Sequence, residues 1–197
     1  MLFCHPGRVF VLRSLEKTVV KMFSRRSTQE GARSSWQKLS GVLLRTALIS
    51  VVVHSAIQTY RVEGASMEPS LSHGQCLIVN KFIYHLLHPP QRGDIILLKD
   101  PRRPDRDVIK RVIGLPGEKV KVSQGQVYIN DGLLNEPYIS SPGAYAWGPS
   151  IVRQGQYFVL GDNRSNSRDS LSWGWLPAKD IIGRAWISYW PLPARRL

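Results

Sequence analysis

Acidic residues and cysteines are the scarce components of this 197-residue chain. The 14 Asp and Glu stand against 27 Lys and Arg, a formal net charge of +13. Such an excess points to nucleic acid or another anionic surface unless it is confined to one segment. Much of it is confined: residues 1–60 hold 9 basic and 2 acidic residues, so +7 falls on the first third of the chain. Cys4 and Cys76 are the only cysteines and form no C-x-x-C spacing, which excludes a thiolate zinc site. They flank an apolar segment, which argues against a mutual disulfide, and they do not identify a redox compartment. Residues 61–197 contain neither an internal repeat nor a long amphipathic helix pattern, which excludes solenoids and helix bundles.

The longest apolar run is "LSGVLLRTALISVVVHSAIQTY", residues 39–60. It approaches the roughly 20 residues that a helix needs to cross a bilayer. Arg45 lies close enough to its start to extend toward lipid headgroups. Residues 1–38 before it carry Arg8, Arg13, Lys17, Lys21, Arg25, Arg26, Arg33 and Lys38. That asymmetry predicts a single span with a cytoplasmic N-terminus and everything after Tyr60 across the membrane. A buried core helix and a cleaved signal peptide are the alternative readings of the same run. Residues 1–21 fit either a targeting peptide or a start codon at Met22 rather than Met1.

After Tyr60 the apolar runs shorten. Residues 76–82, 94–100, 108–115, 118–123, 126–131, 156–162 and 181–190 are β-branched or aromatic and bounded by Gly, Pro, Asn or Asp. "EKVKVSQGQVYINDG" alternates through a central glycine and predicts a hairpin. "HPPQRGD" and "DPRRPDRD" read as loops. The expected fold is an all-β domain of antiparallel sheets, sandwich- or barrel-like, over residues 61–197.

"VEGASMEPSL", residues 62–71, sets a serine, Ser66, in a tight polar turn. A serine hydroxyl is a weak nucleophile without a base. The nearest histidine, His73, lies in the turn-like "SHGQ". The other base known for serine is a lysine kept neutral, which burial against apolar walls achieves. Lys110, between Val108–Ile109 and Val112–Ile113, has that setting; Lys81 is the rival, and Lys99 and Lys121 read as outward strand positions.

Four boxes in order then resemble the type I signal peptidase (leader peptidase) family. They are "GASMEPSL", "RGDIILLKDP", "IKRVIGLPGEKV" and "LGDNRSNSRDS", within residues 62–190. The resemblance implies Ser66 as nucleophile and Lys110 as general base, with no cofactor and no metal. It implies that Ser167 orients the lysine and that Asp162, Arg164 and Asp169 brace the last box, with Asp162 pairing Arg111. Val62, Met67, Leu71 and Ile109 would line a first substrate pocket, and Tyr60, Leu77 and Ile109 a second. Those pockets would admit small residues one and three positions before the cut, the pattern of secretory signal peptides. Some members carry a serine where this chain has Gly64. Here the oxyanion must rest on backbone N–H groups, chiefly that of Ser66, and a serine at position 64 is expected to fit. Trp147, Trp173 and Trp175 are candidates to rest on the membrane.

The expected partners are preprotein signal peptides, the lipid bilayer and, as a candidate, the export machinery, but no nucleic acid. The expected location is the plasma membrane, with a thylakoid or inner mitochondrial membrane as the alternative. Two other readings compete. A self-cleaving repressor would need a DNA-binding helical domain where this chain has a basic arm and an apolar run. A non-catalytic tethered basic β module, binding nucleic acid or anionic lipid, would explain the charge but not "GASM" together with "IKRVIGLPGE".

Overall fold

The computed structural model describes residues 39–50, 56–191 and 195–197. The chain divides into two units, residues 1–56 and 57–197. Within the first, residues 39–50 are helical and their apolar side chains are largely exposed. Residues 51–55 lie outside the described residues, as does the basic segment 1–38. Among the described residues no helix is long and apolar enough to cross a membrane.

The second unit begins four residues earlier than the apolar run suggested. Ile57–Arg61 form strand β1, paired antiparallel to β2 (Cys76–Asn80) from Ile57↔Asn80 to Arg61↔Cys76. The sequence "IQTYR" mixes β-branched and aromatic residues with polar ones, which suits a half-exposed strand better than a helix end. The further strands are β3 (Ile95–Asp100), β4 (Arg103–Gly114), β5 (Lys119–Ser123), β6 (Gln126–Ile129), β7 (Gly132–Leu133) and β8 (Trp147–Ile151). They continue with β9 (Gln156–Leu160), β10 (Leu176–Pro177), β11 (Ile181–Trp190) and β12 (Arg195–Arg196). All pairings are antiparallel.

Two sheets result. The larger runs β1-β2-β11-β3-β4-β9-β10, with β12 beside β11; the smaller runs β7-β6-β5-β8. The larger sheet is an open path, not a closed barrel. The expected hairpin is β5–β6, joined by Gln124 and Gly125 at positive φ, as a tight two-residue turn requires.

Strand β4 is longer than its apolar part. Its first half, drawn from the loop-like "RRPDRD", is exposed, and its second half is buried. Pairing with β3 runs from Ile95↔Arg111 to Lys99↔Asp107, whereas β9 pairs only from Arg111 onward. Residues 105–110 therefore leave one backbone edge open.

One apolar cluster joins the sheets through Ile113, Val120, Val127, Phe158 and Leu160. Trp147, Phe158 and Trp175 interlock there, with ring centroids 4.6 to 5.7 Å apart. Edge-on aromatic packing of that kind stabilises a core. Trp147 and Trp175 are thus core-packing residues, and Trp173 packs against a second cluster around Ile96, Leu98 and Val159. Among the described residues the tryptophans that do face solvent are Trp186 and Trp190. Cys76, wholly buried on β2, is disulfide-bonded, against the expectation of unconnected thiols; Cys4 lies outside the described residues. That expectation rested on the apolar segment that lies between the two cysteines in sequence.

Candidate active site

Strand β1 leads into the turn that carries Ser66, and the buried half of β4 carries Lys110. Lys110 Nζ and Ser66 Oγ are hydrogen-bonded at 2.8 Å, and Nζ donates to the Ile109 carbonyl at 2.9 Å. Lys110 is only 3% exposed. Burial disfavours the ammonium and brings its pKa down from 10.5 to about 8, although Asp169, Asp100 and Asp162 pull the other way. A neutral amine offers two N–H groups and one lone pair. With one N–H on Ile109, the lone pair is free to take the serine proton.

The Ser66 backbone is held from the last box: Asn163 N–H donates to the Ser66 carbonyl at 3.1 Å. Gly161 lies against the same carbonyl. A Cβ there would sit 2.5 Å from the Ser66 oxygen and 2.3 Å from Ser167 Oγ, so only glycine allows this approach. Among the described residues the Ser66 N–H makes no hydrogen bond.

Asp162 accepts from Arg111 Nε at 2.8 Å and Nη2 at 2.6 Å, a bidentate pair in which Asp162 is fully buried. Arg111 also donates to Ser70 Oγ and to the Gly93 carbonyl, and lies 4.0 Å from the centre of the Tyr138 ring. Tyr138 O–H donates to Glu136, which in turn pairs with the buried Arg164. Arg164 Nε donates to the Gly161 carbonyl. Asp169 caps helix Ser170–Trp173 by accepting from Leu171 N–H, and its other oxygen accepts from Gly161 N–H at 3.0 Å. Asp162, Arg164 and Asp169 of the last box thus form one network around Gly161.

The chain belongs to the signal peptidase family, peptidase S26, whose pattern matches residues 34–190. It is 45% identical over 161 residues to a signal peptidase I of Leptolyngbya laminosa, covering 76% of this chain and 79% of that one. It is 40% identical over 167 residues to a probable signal peptidase I-2 of Synechocystis, covering 81% and 76% respectively. A thylakoidal processing peptidase of Arabidopsis thaliana is 34% identical over 154 residues, 73% of this chain and 45% of that one. Bacterial and thylakoid peptidases both occur among its relatives.

Within that family frame some expected residues sit differently. Ser167 Oγ is buried without a hydrogen-bond partner, and Lys110 Nζ is bonded to Ser66 and Ile109 rather than to it. Gly64 has a φ of +89°, and its surroundings are open. A serine there meets no clash but a strained backbone, which counts against the expectation that it fits freely. Val62, Met67, Leu71 and Leu77 are buried in one cluster with Ile95 and Ala185, and Ile109 packs against it. Tyr60 is half-buried; its O–H donates to Asp107 at 3.2 Å, and burial together with that carboxylate pushes its pKa up to about 12. Lys81, the rival base, is on the turn after β2 and more exposed than Lys110. Glu136, Tyr138, Ser70, Gly161 and the Asn163 N–H were not singled out by sequence. Glu136 and Tyr138 lie in an irregular segment with no periodicity to betray burial, and Gly161 has no side chain to read.

Proposed function

We propose that this chain removes signal peptides from exported preproteins, with Ser66 as nucleophile and Lys110 as general base. The observation that carries this reading is the 2.8 Å contact between Ser66 Oγ and a buried lysine whose pKa is brought down to about 8. Lys110 takes the hydroxyl proton as Oγ bonds to the scissile carbonyl carbon. The resulting ammonium gives that proton to the leaving amine as the C–N bond breaks. Water, deprotonated by the same amine, then attacks the acyl ester; the bond from the carbonyl carbon to Oγ breaks, and the ammonium returns its proton to Ser66 Oγ. The Ser66 N–H is the candidate donor to the oxyanion.

Substrate binding follows from two open strand edges. β1 pairs only with β2, and residues 105–110 of β4 pair only with β3. The Tyr60 hydroxyl on β1 donates to the Asp107 carboxylate on β4 at 3.2 Å, so the two strands are linked through these side chains. An extended peptide can add to such edges through its backbone. Ile109 and Tyr60, above the Val62–Leu77 cluster, restrict the positions one and three residues before the cut to small side chains. Ser167 orients Lys110 in the working enzyme, and the network around Asp162 and Arg164 holds the last box against Ser66. Residues 39–56 anchor the chain in the bilayer by one span, with the catalytic unit outside the cytoplasm or in the corresponding organellar compartment.

The test is cleavage of a preprotein by the full chain in lipid vesicles, with the new N-terminus mapped by mass spectrometry. Cleavage after a small-x-small sequence that disappears in Ser66→Ala and in Lys110→Ala is the expected result. Wild-type protein that leaves all such preproteins intact would overturn the reading.

A further inference from the structure

The β1–β2 ladder does not stop where its strands stop. Val62 N–H donates to the Gln75 carbonyl at 2.8 Å, and Gly74 N–H to the Val62 carbonyl at 2.9 Å. These two bonds set Gly74 and Gln75 together opposite Val62, a bulge with Gly74 at φ +86° that shifts the register Arg61↔Cys76 by one and leaves Gly64 opposite Ser72. The next ladder bond would run from Gly64 N–H to the Ser72 backbone carbonyl. It runs instead to the His73 ring: Gly64 N–H donates to Nδ1 at 3.0 Å. This ring nitrogen is therefore an acceptor, and the imidazole stands in for a backbone carbonyl at the point where the chain leaves the sheet. Gly64, at φ +89°, turns the chain there, and Ser66 follows two residues later.

We infer that His73 is a positioning residue for the nucleophile. Its Nδ1 fixes Gly64 on one side of Ser66, as the Asn163 N–H fixes the Ser66 carbonyl on the other. Without the first clasp, a glycine at positive φ is the least restrained point of the turn, because glycine has the widest choice of backbone conformation. Catalytic groups need placement to about 0.5 Å, and a displacement of about 1 Å costs roughly a hundredfold in rate. His73 is exposed, so water replaces the lost acceptor at little cost in stability. The clasp acts on geometry and not on folding. This role rests on the serine–lysine reading of the site.

The test compares His73→Ala with His73→Asn in the full chain, since asparagine Oδ1 occupies the place of Nδ1 and accepts the same bond. The expected result is a fall in kcat of roughly tenfold in His73→Ala, smaller than that of a 1 Å displacement. KM and melting temperature stay unchanged, and His73→Asn recovers most of kcat. Full kcat in His73→Ala, or equal loss in both variants, would overturn the role. Acylation of Ser66 by a small activated ester, which does not occupy the peptide groove, is measured alongside. The same alanine–asparagine contrast in that rate supports the clasp even where preprotein cleavage fails and the substrate reading falls; its absence there overturns the clasp.

Discussion

The two halves of the proposed catalytic pair are held in opposite ways. Lys110 sits on a sheet strand, paired with Ile96 of β3 on one side and one residue before β9 joins on the other. Ser66 sits on a turn, outside any strand, between hydrogen bonds that reach it from other parts of the chain. The strand supplies the environment: burial lowers the lysine pKa, and a rigid sheet keeps it buried. The turn supplies the direction of attack. Chemical activation and geometric placement are thus divided between a regular element and an irregular one. Damage to each should show a different signature.

The largest effect removes either half outright. Ser66→Ala and Lys110→Ala should each lower cleavage by roughly 10^4-fold to 10^6-fold in a purified assay with the circular dichroism spectrum unchanged. Next, Asp162→Ala strands the Arg111 guanidinium, 11% exposed at its side chain, without its carboxylate. A destabilisation of about 3–5 kcal/mol is expected, read as a lowered midpoint in denaturant. Unchanged stability there would mean that the last box is held by its turn alone.

Burial of Lys110 has a stability cost of its own. Its folded pKa, about 8, lies below the 10.5 of the free group. Below pH 8 the folded protein holds a buried ammonium, so the cost is fully present. Between pH 8 and 10.5 the unfolded chain binds the extra proton and the cost fades. Lys110→Met should therefore be inactive yet about 3 kcal/mol more stable at pH 7, with the gain vanishing above pH 10.5. Equal melting temperatures at pH 7 would show that polar neighbours fully compensate the lysine. In the active enzyme the same ionisation predicts a rate that falls about tenfold per unit below pH 8. A flat profile from pH 6 to 9 would sink the neutral-lysine mechanism.

The smallest effect belongs to the turn. Gly64→Ser, strained at φ +89° by about 1–2 kcal/mol, should lower turnover several-fold, and Gly64→Val more. Wild-type turnover in both would mean that the positive φ is not needed for catalysis.

These contrasts also explain what could be read from sequence. The buried strands were legible because β-branched runs bounded by turn residues occur in few other settings. β1 was hidden because "IQTY" continues an apolar run, and β8 because "WGPSI" carries a Gly-Pro turn signal. The exposed half of β4 reads as a loop since arginine, aspartate and proline fill it; its strand character comes from pairing with β3. Ser66 and Lys110 were legible through their motifs. His73 reads in sequence as a turn residue, because nothing in a linear reading shows an imidazole standing in for a carbonyl.

The missing side chain at position 161 leads to a further expectation. Gly161 contributes no proton, charge or nucleophile, yet the Ser66 carbonyl and Ser167 occupy the space of its Cβ. Since one of those neighbours is main chain, no choice of rotamer relieves the crowding. A saturation library selected for cleavage should therefore return glycine alone at position 161, as narrow an outcome as at the nucleophile. The neighbouring exposed Ser165 and Asn166 should accept a broad range of residues. Intolerance to mutation would then map the closeness of two backbones as sharply as it maps the chemistry.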